Sequence, residues 1–461
     1  MPLYQTQNLL TNTSKISQIG LLYYAPVAII LPDTTTPIHS YYCFLSKPTP
    51  WPAETTQIPL GDVKSIKQIQ KNIFVAKQIK TSDISPVIER IDWISGTSYD
   101  YYRDDIDMMS KDLNGFLLQK FYVKNKYDQV FKCLWNNNGG PSTREPYFEP
   151  GTYSANRIFQ GDDGYKWKFI YTVDTGLKVK FMDRAWMPVQ IGANIPNPLI
   201  TSAGAGCIDV INVVETGTGY DTANAVVRVN ITGDGTGALA TANVTPLSAG
   251  GYVTDIIVNN PGSNYTFANV TITSTIGGNA ELTWATSPVG GHGFDPVSEL
   301  GCERIMLTAQ FDGDENGFVP TNIDYHQVGI VVNPTTKQYS PKPANGSIYS
   351  TTTDIVVAPG ADSGYLMDEL VYQGTLDNPS FYATVLSFDP ETDVIKLINT
   401  VGVPANNGPI FGQTSKVTRT LLSSSVPNYV VNSGYVIYVE NRPSIQRSSD
   451  SIEQFRFVLG F

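Results

Sequence analysis

The stretch GYVIYVENRPSIQRSSDSIEQFRFVLGF, residues 434–461, decides the fold class. It opens with a β-branched and aromatic run, Tyr435, Val436, Ile437, Tyr438 and Val439. Asn441, Arg442 and Pro443 then predict a turn, because proline fixes φ and offers no N–H to a ladder. The chain resumes with Phe455, Phe457, Leu459 and Phe461, alternating with Gln454, Arg456 and Val458. A period of two is the pattern of a half-buried strand. The two runs predict a C-terminal hairpin. A last strand made of core residues is expected to be tied into a sheet rather than to fray.

The rest of the 461 residues agrees with a β-rich chain of two or three folding units. Gly (39) and Pro (30) make up about 15% of it, above the average of about 12%. Thr, Asn, Val and Tyr are frequent, as short strands joined by turns require. Charged residues are 16%, below the roughly 25% of an ordinary domain. The net charge of −11 argues against an extended nucleic-acid surface, which needs Lys and Arg against phosphates. Cys43, Cys133, Cys207 and Cys302 are widely spaced and read as reduced, mostly buried thiols. The most apolar run, residues 19–31, is too short to span a membrane and contains Pro26, so it reads as a buried strand. It lacks the basic flank and cleavage site of a signal peptide.

Along the chain, the clearest helix is expected at 62–72, with Asp62 as N-cap and Val63, Ile66 and Ile69 at helical spacing. Residues 121–123 and 130–135 read as a hairpin. Residues 161–173 predict the strongest strand of the first half, with Tyr165, Trp167, Phe169 and Tyr171 on one face and Lys166 and Lys168 on the other. Residues 209–227 superpose on 254–272 at an offset of 45. Ile211 falls on Ile256, Gly217 on Gly262 and Tyr220 on Tyr265. Each copy reads as strand, glycine turn, tyrosine, strand. Residues 354–419 read as a second hairpin-rich β unit.

A resemblance rests on these residues. Ile437, Tyr438, Glu440, Asn441, Arg442, Pro443 and Ile445 match an I-Y-x-E-N-R-P-x-I hairpin. That hairpin precedes the final aromatic strand of the baseplate wedge subunit of contractile-tailed, T-even-like bacteriophages, the gene-product-eight type. Val87, Ile88, Arg90, Asp92 and Trp93 are similar to the family's V-I-P-R-R-D-W, with Glu89 and Ile91 departing from it. The strand followed by Pro48, Pro50, Trp51 and Pro52, and the G-Y-x-W of 164–167, resemble it too. Residues 290–301, GGHGFDPVSELG, resemble a GHGxDPVxELG stretch in wedge proteins of cyanobacterial phages. The repeat resembles the G-x-G-Y β-repeats of phage structural proteins.

The resemblance implies a mainly β protein: a multilayer antiparallel β-sandwich scaffold with loop-borne helices and two inserted small β modules. The scaffold is expected over 1–195, 289–340 and 425–461, the β-repeat insert over 196–288 and the second insert over 341–424. It implies a structural, non-enzymatic virion protein of the tail baseplate, assembled in the host cytoplasm. Its expected partners are other wedge proteins and a second copy in a homodimer, with no cofactor, nucleic acid, small-molecule substrate or membrane insertion. Trp51, Trp93, Arg442 and Pro443 are the interface or fold-anchoring candidates. The alternative is a receptor-binding tail fibre or adhesin, which the Gly/Tyr repeat suits.

The chemistry-bearing motifs are sparse. Residues 312–317 match the opening D-x-D-x-N-G of a calcium loop, but the twelfth position is Ile323, where a bidentate Glu is required, so a solvated acidic turn is expected. His39, His292 and His326 form no zinc pattern, and His292 between glycines suggests a backbone role for its loop. Asp104, Asp105 and Asp107 crowd one stretch beside Arg103; paired carboxylates can run glycoside hydrolysis, but nothing in the sequence identifies that geometry and a solvated loop is expected. No phosphate loop and no G-x-S-x-G occur.

Overall fold

The computed structural model describes residues 40–47, 61–113, 115–150, 158–190, 206–288, 290–336 and 342–460. About half the chain is strand and 7% is helix, in several antiparallel sheets, so the mainly β, sandwich-like class is the observed one. The run 19–31, His39, Trp51 with its flanking prolines, and Phe461 lie outside the described residues. The chain divides into two compact units, one built from residues 1–84 and 306–459, the other from 85–305.

The first unit contains a five-stranded antiparallel sheet in the order Ile348–Ser350, Ile73–Ile79, Tyr41–Ser46, Ile323–Val332, Tyr435–Arg447. The helix Val63–Asn72 precedes one of its strands and begins where the sequence placed it. The Asp62 carboxylate accepts from the N–H groups of Lys64 and Ser65, satisfying donors that have no partner inside the helix. Ile69 packs with Tyr42 and Phe44 of the sheet, and Ile73 already belongs to the next strand.

The C-terminal stretch departs from the expected hairpin. Asn441, Arg442 and Pro443 make no turn, and strand Tyr435–Arg447 runs through them for 13 residues. A bulge absorbs the proline: Gln327 faces Asn441 while Tyr325 faces Ile445, leaving Arg442, Pro443 and Ser444 opposite His326. Proline is tolerated there because this is the outermost strand of the sheet among the described residues. The chain reverses at 448–451, but Ile452–Gly460 does not pair back. It lies beside Arg304–Asp312 in another sheet. The reason is the aromatic face. Phe455, Phe457 and Leu459 are buried. Phe455 meets Tyr325 edge-on at 6.4 Å, and Phe457 meets Tyr438 edge-on at 5.3 Å. Inward-facing side chains of two stacked sheets bury each other in this way, so the last two strands form facing layers of a sandwich.

Residues 353–425 of the same unit close into a six-stranded barrel: Thr353–Val357, Val394–Gly402, Asn378–Asp389, Leu370–Thr375, Pro409–Gly412, Thr418–Ser425. Ile355, Val371, Phe381, Val385, Leu397 and Leu421 fill it. Closure removes every free strand edge from this module.

The second unit holds a four-stranded sheet in the order Tyr122–Lys124, Gln129–Asn136, Tyr165–Thr172, Ile158–Gln160. The aromatic stripe is core, and it is split. Val130 faces Tyr171 but Phe131 faces Phe169, so Ile170 is an extra residue. Tyr165, Trp167 and Phe169 share one cluster with Phe131 and Cys133. Ile170 and Tyr171 enter another with Met187 and Leu300. The expectation of one face therefore holds for three of the four rings.

The repeat in this unit folds with internal pseudo-symmetry. Continued past the motif at the same offset, to 209–244 and 254–284, the two copies form three two-stranded ribbons, each joining one strand of either copy: Ile211–Thr218 with Gly278–Trp284, Thr236–Val244 with Val253–Ser263, and Arg228–Gly233 with Ala268–Thr273. Equivalent side chains take equivalent places. The Tyr220 hydroxyl accepts from the Ala280 N–H, and the Tyr265 hydroxyl from the Ala238 N–H. Gly217 and Gly262 have φ of +61° and +69°. A Cβ on Gly262 would lie 2.6 Å from the Ala238 nitrogen and 2.7 Å from the Thr236 oxygen. Gly262→Ala is therefore expected to cost about 1–3 kcal/mol, read by urea unfolding. Gly237→Ala, at φ +83° but with nothing nearer than 3.9 Å, should cost less. Equal losses would attribute the effect to φ alone.

Candidate functional site

Of the four residues singled out from the sequence, Arg442 and Pro443 lie in the first unit and Trp93 in the second. Trp51 lies outside the described residues. Trp93 is half-buried in the second unit, where its indole N–H donates to Ser142 Oγ at 3.0 Å and its ring packs against the Trp167 cluster. Arg442 belongs to the first unit. It pairs with Glu440 at 3.0 Å and its guanidinium sits 5.7 Å from the centre of the Phe455 ring. It thus bridges the two sandwich layers through its own charge. Pro443 is exposed in the bulge beside it.

A buried group of ionisable side chains lies elsewhere, inside the second unit, and the sequence reading missed it. Lys132 points from strand Gln129–Asn136 into a fully buried space. Its ammonium lies 2.9 Å from Glu299, 3.2 Å from His292 Nδ1, and 3.4 Å from the centre of the Tyr102 ring. Glu299 ends the short helix Pro296–Glu299, which starts at the capping carboxylate of Asp295. Its Oε1 also lies 2.9 Å from His292 Nδ1, and its Oε2 accepts from the Gly293 N–H at 2.6 Å. The glycine-rich loop 290–293 does have a backbone role, as the sequence suggested, and the histidine within it is a further part of the network. Lys168, on strand Tyr165–Thr172, pairs with Asp209 at 3.3 Å, and Asp209 is 3.8 Å from His292 Nε2. Next to it, Lys166 pairs with Asp255 at 3.0 Å. Lys166 and Lys168 thereby find acidic partners, both from the repeat module.

The electrostatics follow from burial. Desolvation, with the charge of Lys132, pushes the His292 imidazole below its ordinary 6.5 against the pull of Glu299 and Asp209. Desolvation opposes ionisation of Glu299, but the Lys132 charge and the His292 hydrogen bond hold it down at about 2. Burial pushes the Lys132 ammonium down, with Glu299 opposing. The group is a charge-balanced knot of two lysines and two carboxylates around an imidazole. Its order is sheet, loop, helix and module, so its chemistry is that of a fastener.

The first unit repeats the device. Lys47, buried at the end of strand Tyr41–Ser46, lies 2.6 Å from Asp324 of the main sheet and 2.9 Å from Asp368 of the barrel. Within the barrel, Arg419 pairs with Asp362 and Asp393 at 2.5 and 2.7 Å.

The sequence candidates for chemistry are spent on local structure. Asp104 accepts from the Thr286 N–H at 2.8 Å and from its hydroxyl. Asp105 accepts two bonds from Arg103, which hold it below the usual carboxylate range. Asp107 caps Met109 and Ser110, and the Ser110 hydroxyl holds it low. Neither Asp105 nor Asp107 stays protonated at neutral pH, as the acid in glycoside cleavage must. In the turn 312–317, Glu315 pairs with Lys77 at 2.7 Å and caps the Asp312 N–H. Among the described residues, no three His, Cys, Asp or Glu side chains are placed to hold a metal ion. All four cysteines are free, three of them buried. Burial pushes the Cys302 thiol up to about 11 and the Cys43 and Cys133 thiols above the ordinary range, leaving them unreactive.

One cleft, of about 500 Å³, opens in the second unit between the loop around Tyr101–Asp105 and the repeat module. Among the described residues, no helix is long and apolar enough to cross a membrane. No model of a known protein family matches the chain, and no curated protein matches it.

Proposed function

We propose that this chain is a structural subunit of a phage tail baseplate wedge, which joins neighbouring wedge proteins and pairs with a second copy of itself. The identity rests on the resemblance carried by residues 437–445 and by the stretches 87–93 and 290–301. The observation in the fold that supports a structural role is the use of the buried cations. Lys132, Lys166 and Lys168 fasten the repeat module and its flanking loop to their sheet, and Lys47 fastens the barrel to its own. Inserts fixed in this manner hold their orientation under load. Buried charge pairs of this kind specify geometry more than they add stability. The mechanism is interface formation without turnover, and stable assemblies of this kind bury about 2,000 Å² or more.

Sedimentation equilibrium of the purified chain tests the reading. A mass of twice 50.4 kDa is expected. A trimer would favour the receptor-binding fibre or adhesin instead, since fibres and spikes close around a threefold axis. A monomer at every concentration would remove the self-pairing part of the proposal.

A further inference from the structure

The cleft between the Tyr101–Asp105 loop and the repeat module presents the Phe267 ring, which neither fastening nor packing uses. We infer that it is a binding site for a neutral oligosaccharide, which it holds without cleaving. The inference stands whether or not the chain is a wedge subunit.

Three aromatic rings line it: Tyr101 from the loop, Phe267 and Trp284 from the module. Phe267 is 62% exposed, a cost that folding does not require. Its backbone is nevertheless fixed. Asp234 accepts from the N–H groups of Thr266 and Phe267 at 2.9 and 3.2 Å and from the Thr266 hydroxyl. Those bonds, the hydroxyl first, hold the Asp234 carboxyl at about 2. The Trp284 indole is fixed by its N–H, which donates to the Ala268 carbonyl at 3.2 Å. Tyr101 packs edge-on against Trp135 at 5.2 Å. Asp104, bonded to Thr286, straps the loop to the end of the module. Phe267 is thus exposed on a fixed backbone, and Tyr101 and Trp284 are half-buried and held by their own contacts, which lowers the ordering cost of binding.

The lining selects the ligand class. The cleft volume lies within the roughly 300–1,000 Å³ of small-molecule sites. The three rings come from three separate stretches of the chain, so they offer separate flat surfaces along the cleft. Separate flat surfaces suit successive pyranose rings, whose axial C–H faces are apolar. Beside them stands the Arg103–Asp105 pair, both partners exposed. Two of the five guanidinium N–H groups are spent on Asp105. The remaining donors, with the carboxylate lone pairs, match the hydroxyl rim of a sugar. Asp104 and Asp105 against one arginine disfavour an acidic glycan. The carboxylates that would cleave a glycosidic bond are held ionised or bonded, so binding is not followed by turnover.

The test uses the full-length chain on a microbial glycan array, followed by saturation-transfer NMR with the best neutral binder. Binding to neutral glycans is expected, weakened about tenfold or more by Phe267→Ala and by Arg103→Ala. Leu239→Ala, equally exposed on the same module, should leave it unchanged. An array with no neutral binder overturns the inference. So does sugar binding that survives both cleft substitutions, or a cleft that takes tetramethylammonium and no sugar. The mass measured by sedimentation is independent of all these outcomes.

Discussion

Lys132→Met is expected to destabilise the second unit by about 3–5 kcal/mol. The substitution keeps the length and apolar stem of the side chain, so little packing is lost. What it removes is the charge that sits 2.9 Å from a carboxylate at 3% exposure. Glu299 would then be ionised in a dry interior with only His292 and the Gly293 N–H to face it. The unit answers by protonating Glu299 or by opening the loop 290–293, and each answer costs stability. Five of the six tryptophans, Trp93, Trp135, Trp167, Trp186 and Trp284, belong to this unit, so urea unfolding followed by tryptophan emission reports on it directly. The control is Lys132→Met combined with Glu299→Gln. It removes both charges and leaves an acceptor for the Gly293 N–H, and it should recover most of the loss. A double variant as damaged as the single one would show that shape, not charge, was at stake.

The same knot gives the unit a pH profile. The folded pKa of His292 lies below 6.5. As pH falls through 6.5, the unfolded chain takes up a proton that the folded chain refuses, so stability drops from there toward the lowered folded value. Glu299, at about 2 rather than 4.5, contributes stability that is present above 4.5 and lost as pH falls toward 2. His292→Asn should abolish the first loss and leave a smaller second one. A profile flat between pH 6.5 and 5 in the parent chain would contradict the buried, neutral imidazole.

The elements that were legible in the sequence are those whose cause is local. The Val63–Asn72 helix is declared by its cap and its spacing, and strand Tyr165–Thr172 by alternating rings. The repeat is declared by its 45-residue offset. What escaped depends on distant partners. Pro443 signals a turn, but its strand is outermost, and a bulge opposite His326 absorbs it. Phe455 and Phe457 announce a strand but not the sheet it joins; that was decided by Tyr325 and Tyr438 across the sandwich. Lys132, His292 and Glu299 lie up to 167 residues apart. One signal was available: Lys132 stands between Phe131 and Cys133 in a strand with no exposed residue, and a charge in such a place must find a partner.

Arg447→Met carries the second large effect, in the first unit, and tests the corner where the last two strands change layers. Arg447 is fully buried and gives one bond each to three groups. Nε donates to Glu453 at 3.1 Å, one terminal nitrogen to the Pro320 carbonyl at 3.1 Å, and the other to the Gly313 carbonyl. It therefore ties the loop 313–320 and the final strand to the end of Tyr435–Arg447. Methionine fills the space and satisfies none of the three acceptors, so a loss of about 3–5 kcal/mol is expected. Arg447→Lys keeps the charge but lacks the planar fork, and should fall between. The pH dependence identifies the cause. Burial already raises Glu453 above 4.5, with Arg447 opposing. A raised carboxyl favours the folded state below 4.5 and loses that advantage as pH climbs through the folded value. Without Arg447 the carboxyl rises further, so the deficit of the variant should be larger at pH 7 than at pH 4. Hydrogen exchange resolves it by segment: protection should drop across 435–460 and 313–320 while the barrel, residues 353–425, keeps its own. A barrel that loses protection equally would show that the corner and the barrel unfold as one cooperative body.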